Sequence, residues 1–134
     1  MKLIGRHIHG VTVLDIQGKL IGEPANCEKF HELFRSLLDE GEKNFVVDLD
    51  ESEWADSRGI GMLIGAYTSA RRAGGDLVLT RVGERTTSIL KVTQLDLIFR
   101  KFSSVDEAVK YLLAGESATK REGSSPTASN YRTV

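Results

Sequence analysis

The residues that most constrain how this chain can fold are Phe45-Val46-Val47-Asp48-Leu49, a short β-rich run with helical patterns on both sides. A strand that is apolar on both faces has to be covered twice, which is the signature of a parallel sheet clothed by helices. Parallel neighbours need a crossover, and a helix is the usual one. The chain is therefore expected to be an α/β protein.

The rest of the sequence follows the same alternation. Leu3 to His9 and Val11 to Gln17 are apolar-rich runs split by Gly10, a pattern that predicts an antiparallel hairpin. Pro24 suits a helix first turn, and Cys27, Phe30, Leu33, Phe34, Leu37 and Leu38 follow at helical spacing. Gly41 is placed to end that helix in a left-handed conformation. A second helix is predicted from Asp56 or Ser57 to about Gly74-Gly75, with Ile60, Leu63, Ile64, Tyr67 and Ala70 on its inner stripe. Leu77-Val78-Leu79 reads as a strand, Glu84 to Thr93 as a helix, and Leu97-Ile98-Phe99 as a last short strand. Ser103 or Ser104 would cap a final helix that turns Ala108, Val109, Leu112 and Leu113 inward. The predicted order is ββαβαβαβα, one mixed β-sheet covered by helices.

Composition adds boundaries. Of 134 residues, 18 are Lys or Arg and 19 Asp or Glu, so the net charge of −1 removes the electrostatic case for nucleic acid or an anionic membrane. One cysteine, Cys27, cannot form an internal disulfide and falls on an apolar helix stripe, where it reads as a small core residue. No run of about 18 apolar residues or signal-peptide pattern appears, so the expected location is the cytoplasm. From Glu116 to Val134 the chain is mostly Ser, Thr, Ala, Gly and charge, too polar to offset the entropy of ordering. The expectation is a single domain over 1–115 followed by a flexible polar tail over 116–134.

The segment from Phe45 to Gly75 is the most informative chemically. A buried strand runs through an acidic stretch into Asp56-Ser57-Arg58-Gly59, where the helix should begin. Asp56 is a natural N-cap, since its carboxylate can accept the free N–H groups of the first turn. Ser57 would then stand at the first helical position, beside the positive end of the helix dipole. A phosphate there would add about −1.5 to −2 charges, tolerated by the helix end and Arg58 but repelled by Asp56. Gly59 and Gly61 leave little bulk over the first turn, so a partner could approach the backbone closely.

Other constellations carry less. His7 and His9 are two apart on a predicted strand and would share a face, but with His31 and Cys27 they match no ligand spacing. Exposed strand histidines are the better reading, and no metal or cofactor is expected. Gly59-Ile60-Gly61 with Gly65 fits neither phosphate-binding glycine motif, because Ile64 takes the final glycine position of one and no Gly-Lys-Ser/Thr follows. Ser57 lies outside the nucleophile-elbow pattern and has no spaced His and acid, so no enzyme is expected. Trp54 reads equally well as a loop anchor or an exposed contact.

Taken together, the strand Phe45–Leu49, the Asp56-Ser57-x-Gly59-Ile60-Gly61 turn, Leu63-Ile64, Ala73-Gly74-Gly75-Asp76-Leu77-Val78-Leu79 and Leu95-Asp96-x-x-Phe99 resemble the STAS domain of sulfate transporters and anti-sigma-factor antagonists. The resemblance covers about residues 3–114. It implies an antagonist that binds an anti-sigma serine kinase, frees a sigma factor for transcription, is switched off by phosphorylation and is restored by a phosphatase. Carried over position by position, Ser57 matches the phosphoacceptor and Asp56 the acid before it. Gly59, Ile60 and Met62 match the first turn of the contact helix.

Three positions depart from the family's pattern. Arg58 stands where many members carry a second Ser or Thr. Gly18-Lys19-Leu20 is followed by Ile21 where the family often has Asp, which leaves Glu23 to supply a polar group near the serine. Gln94 replaces a glycine at the end of the third helix, at a cost of about 1 kcal/mol if the residue must be left-handed. The implied contact set is thus Asp56, Arg58, Gly59, Ile60, Met62 and Glu23. The alternative is a STAS scaffold that is never phosphorylated, an accessory subunit of a transporter, lipid-trafficking or sensor complex.

Overall fold

The computed structural model describes residues 2–20, 24–50 and 52–122, with side chains for 2–18, 27–50 and 56–115. Strands β1 (Lys2–Ile8) and β2 (Val11–Leu20) form the predicted antiparallel hairpin, with Ile8 opposite Val11. Its two turn residues, His9 and Gly10, have φ of +51° and +86°, the paired positive values that match hairpin twist. His9 thereby leaves the strand, and the shared face expected for His7 and His9 does not form. His7 instead meets Glu42 at 3.2 Å.

Helix α1 (Pro24–Asp39) ends as its sequence predicts, with Gly41 at φ +95° just beyond it. Strand β3 (Asn44–Asp48) runs parallel to the first half of β2, from Thr12 opposite Phe45 to Asp15 opposite Asp48. A further strand, β4 (Ser52–Ala55), runs parallel to the second half of β2, with Ser52 opposite Gly18. The sequence predicts only an acidic, polar loop here. These four residues are a strand because the ten-residue β2 outreaches β3 and offers them a ladder.

Helix α2 (Ser57–Arg72) leads through Gly74, at φ +91°, into β5 (Asp76–Thr80), which pairs parallel with β3. Helix α3 (Glu84–Val92) follows, and Gln94 takes the left-handed conformation, φ +63°, that its position demanded. The expected strand at Leu97-Ile98-Phe99 is absent. Leu95–Leu97 is a single 3₁₀ turn that exposes Leu97 and buries Phe99 against Tyr67, and the strand β6 comes later, at Lys101–Phe102. A three-residue apolar run cannot be assigned to strand or turn by periodicity. Helix α4 (Val105–Glu122) is capped by Ser104, whose hydroxyl accepts the Glu107 N–H at 3.2 Å, and it continues past the composition change at Gly115. Residues 123–134 of the expected tail lie outside the described residues.

The sheet order is β1-β2-β3-β5-β6, with β4 beside β2. Stepping in one direction from β2 to β6 by crossovers of one hand puts α1, α2 and α3 on the same face. Leu14, Phe45, Val47, Leu77 and Leu79 point to that face and pack with Phe34, Leu63 and Leu90 of the three helices. Val11, Val13, Val46 and Val78 alternate to the other face, under Val105, Ala108, Val109 and Leu112 of α4. Both faces of β3 are buried, as the run Phe45–Leu49 requires.

Candidate functional site

The Asp56–Ser57 turn is built as a helix start. Asp56 has extended backbone, φ −108° and ψ 179°, and its carboxylate accepts the Gly59 N–H at 2.8 Å while its carbonyl accepts the Ile60 N–H at 3.0 Å. Such a cap contributes about 1 kcal/mol to the helix. Ser57 is the first helical residue and is exposed, as is Arg58.

The first turn divides sharply between surface and core. Ile60 is 2 % exposed and Met62 4 %, both in the main core cluster, and Gly59 is buried as well. The side chains of Ile60 and Met62, two of the residues implied for partner contact, thus lie in the core of the free chain. The outward ridge consists of Ser57, Arg58, Gly61, Gly65 and Thr68. At Gly61 and Gly65 a Cβ would meet nothing within 4 Å, so packing does not require either glycine. Helical spacing could have located the inner side, because Met62, Ala66 and Ala70 make a second apolar row beside Ile60 and Leu63. Glu23 and Ile21 lie outside the described residues, and Trp54 belongs to β4 through its backbone.

A second group of side chains escaped the sequence reading. Asp15, Asp48, Thr80 and Phe102 are register partners in one row across β2, β3, β5 and β6, two residues beyond the valine row under α4. Asp48 is 4 % exposed, and Thr80 Oγ1 donates to its Oδ1 at 3.2 Å. The Arg81 guanidinium forks onto it, Nε to Oδ1 at 3.1 Å and Nη2 to Oδ2, and Nη1 lies 3.5 Å from Asp50 Oδ2. The group borders an open cavity of about 60 Å³ lined by Asp15, Ile16, Gln17, Asp48, Asp50 and Arg81. Among the described residues, no set of three or more His, Cys, Asp or Glu is placed to hold a metal ion. A charged residue inside the apolar run Phe45–Leu49 was the available signal, since a buried charge needs a partner. Its partner, 33 residues away, was not legible.

The partly buried Asp15 and the buried Asp48 respond oppositely. Burial pushes the Asp15 carboxyl above the ordinary 3.8, helped by Asp48 and opposed by Arg6 and Arg81. For Asp48, burial is outweighed by the Arg81 fork and the Asp50 N–H, and the carboxyl falls below 3.8. Asp15 Oδ1 is buried without a hydrogen-bond partner. Asp48 therefore supports the fold above pH 3.8, and that support is lost as pH falls through its depressed pKa. Asp15 favours the fold when protonated, and that contribution is lost as pH rises through its raised pKa. Asp15→Asn is expected to raise Tm at pH 7, with the gain vanishing toward pH 4; a lower Tm at pH 7 would contradict this account. The lost pairing with Arg6, at 3.6 Å and half exposed, is worth little.

Comparison with known proteins agrees with this architecture. BtrV of Bordetella bronchiseptica, named as an anti-sigma factor antagonist, is 25 % identical over 108 residues, which are 81 % of this chain and 91 % of that one. An anti-sigma factor antagonist of Thermotoga maritima shares the fold, with a TM-score of 0.75 at 22 % identity over 82 % of this chain and 93 % of its own. A sulfate transporter family protein of Wolinella succinogenes also shares it, with a TM-score of 0.68 at 20 % identity, covering 80 % of this chain and 88 % of its own. The family model for the STAS domain matches residues 3–108, from the second residue of β1 to the start of α4, and the chain belongs to the STAS domain family.

Proposed function

We propose that this protein is an anti-sigma-factor antagonist that binds an anti-sigma serine kinase and is switched off by phosphorylation of Ser57, thereby regulating sigma-dependent transcription in the cytoplasm. The observation that carries this reading is the placement of Ser57: exposed, at the first position of a capped helix, next to a carboxylate. A phosphate there sets a new dianion beside Asp56, so the contact surface changes sign locally while the core beneath is untouched. Gly61 and Gly65 continue the ridge with no side chain, each at a helix cost of about 1 kcal/mol relative to alanine. That cost is offset by the close backbone approach it allows a partner. Asp56 and Arg58 flank the acceptor, a phosphatase would reverse the mark, and the protein itself catalyses nothing in this scheme. No described helix is long and apolar enough to cross a membrane.

Incubation with the cognate kinase and ATP should label Ser57, and Ser57→Ala should abolish labelling with the fold intact. Label that persists in Ser57→Ala would overturn the assignment. Ser57→Asp should weaken kinase binding, and unchanged affinity would count against the charge switch.

A second reading is favoured by Arg58 in the place of a second phosphoacceptor and by the likeness to a sulfate transporter family protein. In it the domain is an unphosphorylated scaffold or accessory subunit of a transporter, lipid-trafficking or sensor complex. Affinity capture separates the two: an anti-sigma kinase supports the first, transporter subunits the second.

A further inference from the structure

The chain passes from β3 to β4 through a break. β2 pairs with β3 as far as Asp15–Asp48 and with β4 from Gly18–Ser52, three residues on in β2 and four in the other chain, so the pairing is interrupted between them. β4, Asp56 and Ser57 follow directly after this break. Arg81 sits on it. Its guanidinium grips Asp48, the last residue of β3, with two hydrogen bonds and reaches Asp50 inside the break at 3.5 Å. Asp50 is in turn tied to Asp48, whose Oδ1 accepts the Asp50 N–H at 3.2 Å.

The backbone of Arg81 is shaped for this contact. Residue 81 follows Thr80, whose side chain bonds Asp48 on the α4 face, so continued strand geometry would send Arg81 to the opposite face. Instead Arg81 adopts φ +52°, a conformation that non-glycine residues seldom take, and its side chain returns to the face of Asp48. Its own N–H still donates to Phe102 O at 3.0 Å, which anchors the guanidinium to the sheet. A planar fork suits two carboxylates at fixed spacing, and a lysine ammonium does not.

We infer that Arg81 is a positioning residue: its fork onto Asp48 and Asp50 pins the β3–β4 break and so fixes the orientation in which the Asp56–Ser57 turn is presented to a protein partner. The presentation to a partner rests on the reading of Ser57 as the contact turn; the mechanical part does not.

The test is amide hydrogen exchange by NMR on the full chain, comparing wild type with Arg81→Gln, Arg81→Lys and Asp50→Asn. The amides of Asp50, Gly59 and Ile60 should exchange at least tenfold faster in Arg81→Gln, while Val46 and Val78 in the sheet stay within twofold. Arg81→Lys, which keeps the charge without the fork, should fall between the two. Asp50→Asn cuts only the outer contact and covers the case in which Arg81→Gln does not fold; it should loosen the same three amides. Unchanged Gly59 and Ile60, or a uniform rise across all amides, overturns the inference. Labelling of Ser57 by the kinase should then show at least a tenfold lower kcat/KM in Arg81→Gln, partly rescued in Arg81→Lys. If the amides respond but wild type is never labelled, the clamp stands and the phosphorylation reading fails. If labelling is normal in Arg81→Gln although the amides respond, the clamp does not govern presentation and the inference is overturned.

Discussion

Gly75→Ala should destabilise the domain by about 3 kcal/mol or more, the upper range of overpacking, although it adds a single methyl group. A Cβ at this position would lie 1.9 Å from Lys43 O and 2.4 Å from its carbonyl carbon, so backbone has to move. The backbone in question is structural, because Lys43 O accepts the Asp76 N–H at 3.1 Å just before Asn44 pairs with Asp76. Forcing the two chains apart opens the β3–β5 ladder from its end. The neighbour makes a sharp control: at Gly74 a Cβ would touch nothing, and Ala pays only for the left-handed φ of +91°, about 1–2 kcal/mol. Urea denaturation of both variants measures the contrast, and equal midpoints would refute the clash.

Phe45→Ala should cost about 3–5 kcal/mol, whereas Ser57→Ala should stay within about 0.5 kcal/mol. Phe45 is wholly buried at the centre of the three-helix face, its ring 4.4 Å from that of Phe34, which in turn stacks on Phe30 at 5.9 Å. Truncation removes the layer that joins α1 to the sheet. Ser57, by contrast, is exposed, and the cap beneath it belongs to Asp56. The core residue and the proposed phosphoacceptor are thus different residues of one β3–β4–α2 unit. Thermal unfolding of the two variants checks this directly, and a Ser57→Ala loss as large as that of Phe45→Ala would show that the site is part of the core.

Local chemistry explains which features could be read in advance. The Asp56 cap, the helix start at Ser57 and the left-handed Gly41 each depend on a few neighbouring residues, whereas Gln94 stood out only against the family's glycine. Gln94 is instructive, because a side chain is held in a glycine's conformation there at about 1 kcal/mol. The inward burial of Met62 is also legible from its spacing with Ala66 and Ala70. The displaced last strand shows the opposite case. Leu97-Ile98-Phe99 is apolar enough for a strand, but the turn after Gln94 spends Phe99 on Tyr67 and leaves Leu97 77 % exposed.

The doubly buried strand within Phe45–Leu49, the helices around it and the helix start at Ser57 are readable from neighbouring residues alone. Those outcomes follow from periodicity and capping, which act over a few residues. The three-dimensional fold alone makes Ser52–Ala55 a strand and buries the charge of Asp48 in the grip of Arg81, and it turns Ile60 and Met62 into the core while Ser57 and Arg58 stay on the outer ridge. Each of these depends on groups brought together from distant parts of the chain: the outreaching end of β2, an arginine 33 residues beyond its aspartate, a core filled from three helices. Backbone hydrogen bonds and buried charges demand partners, but the demand does not say where along the chain the partner lies.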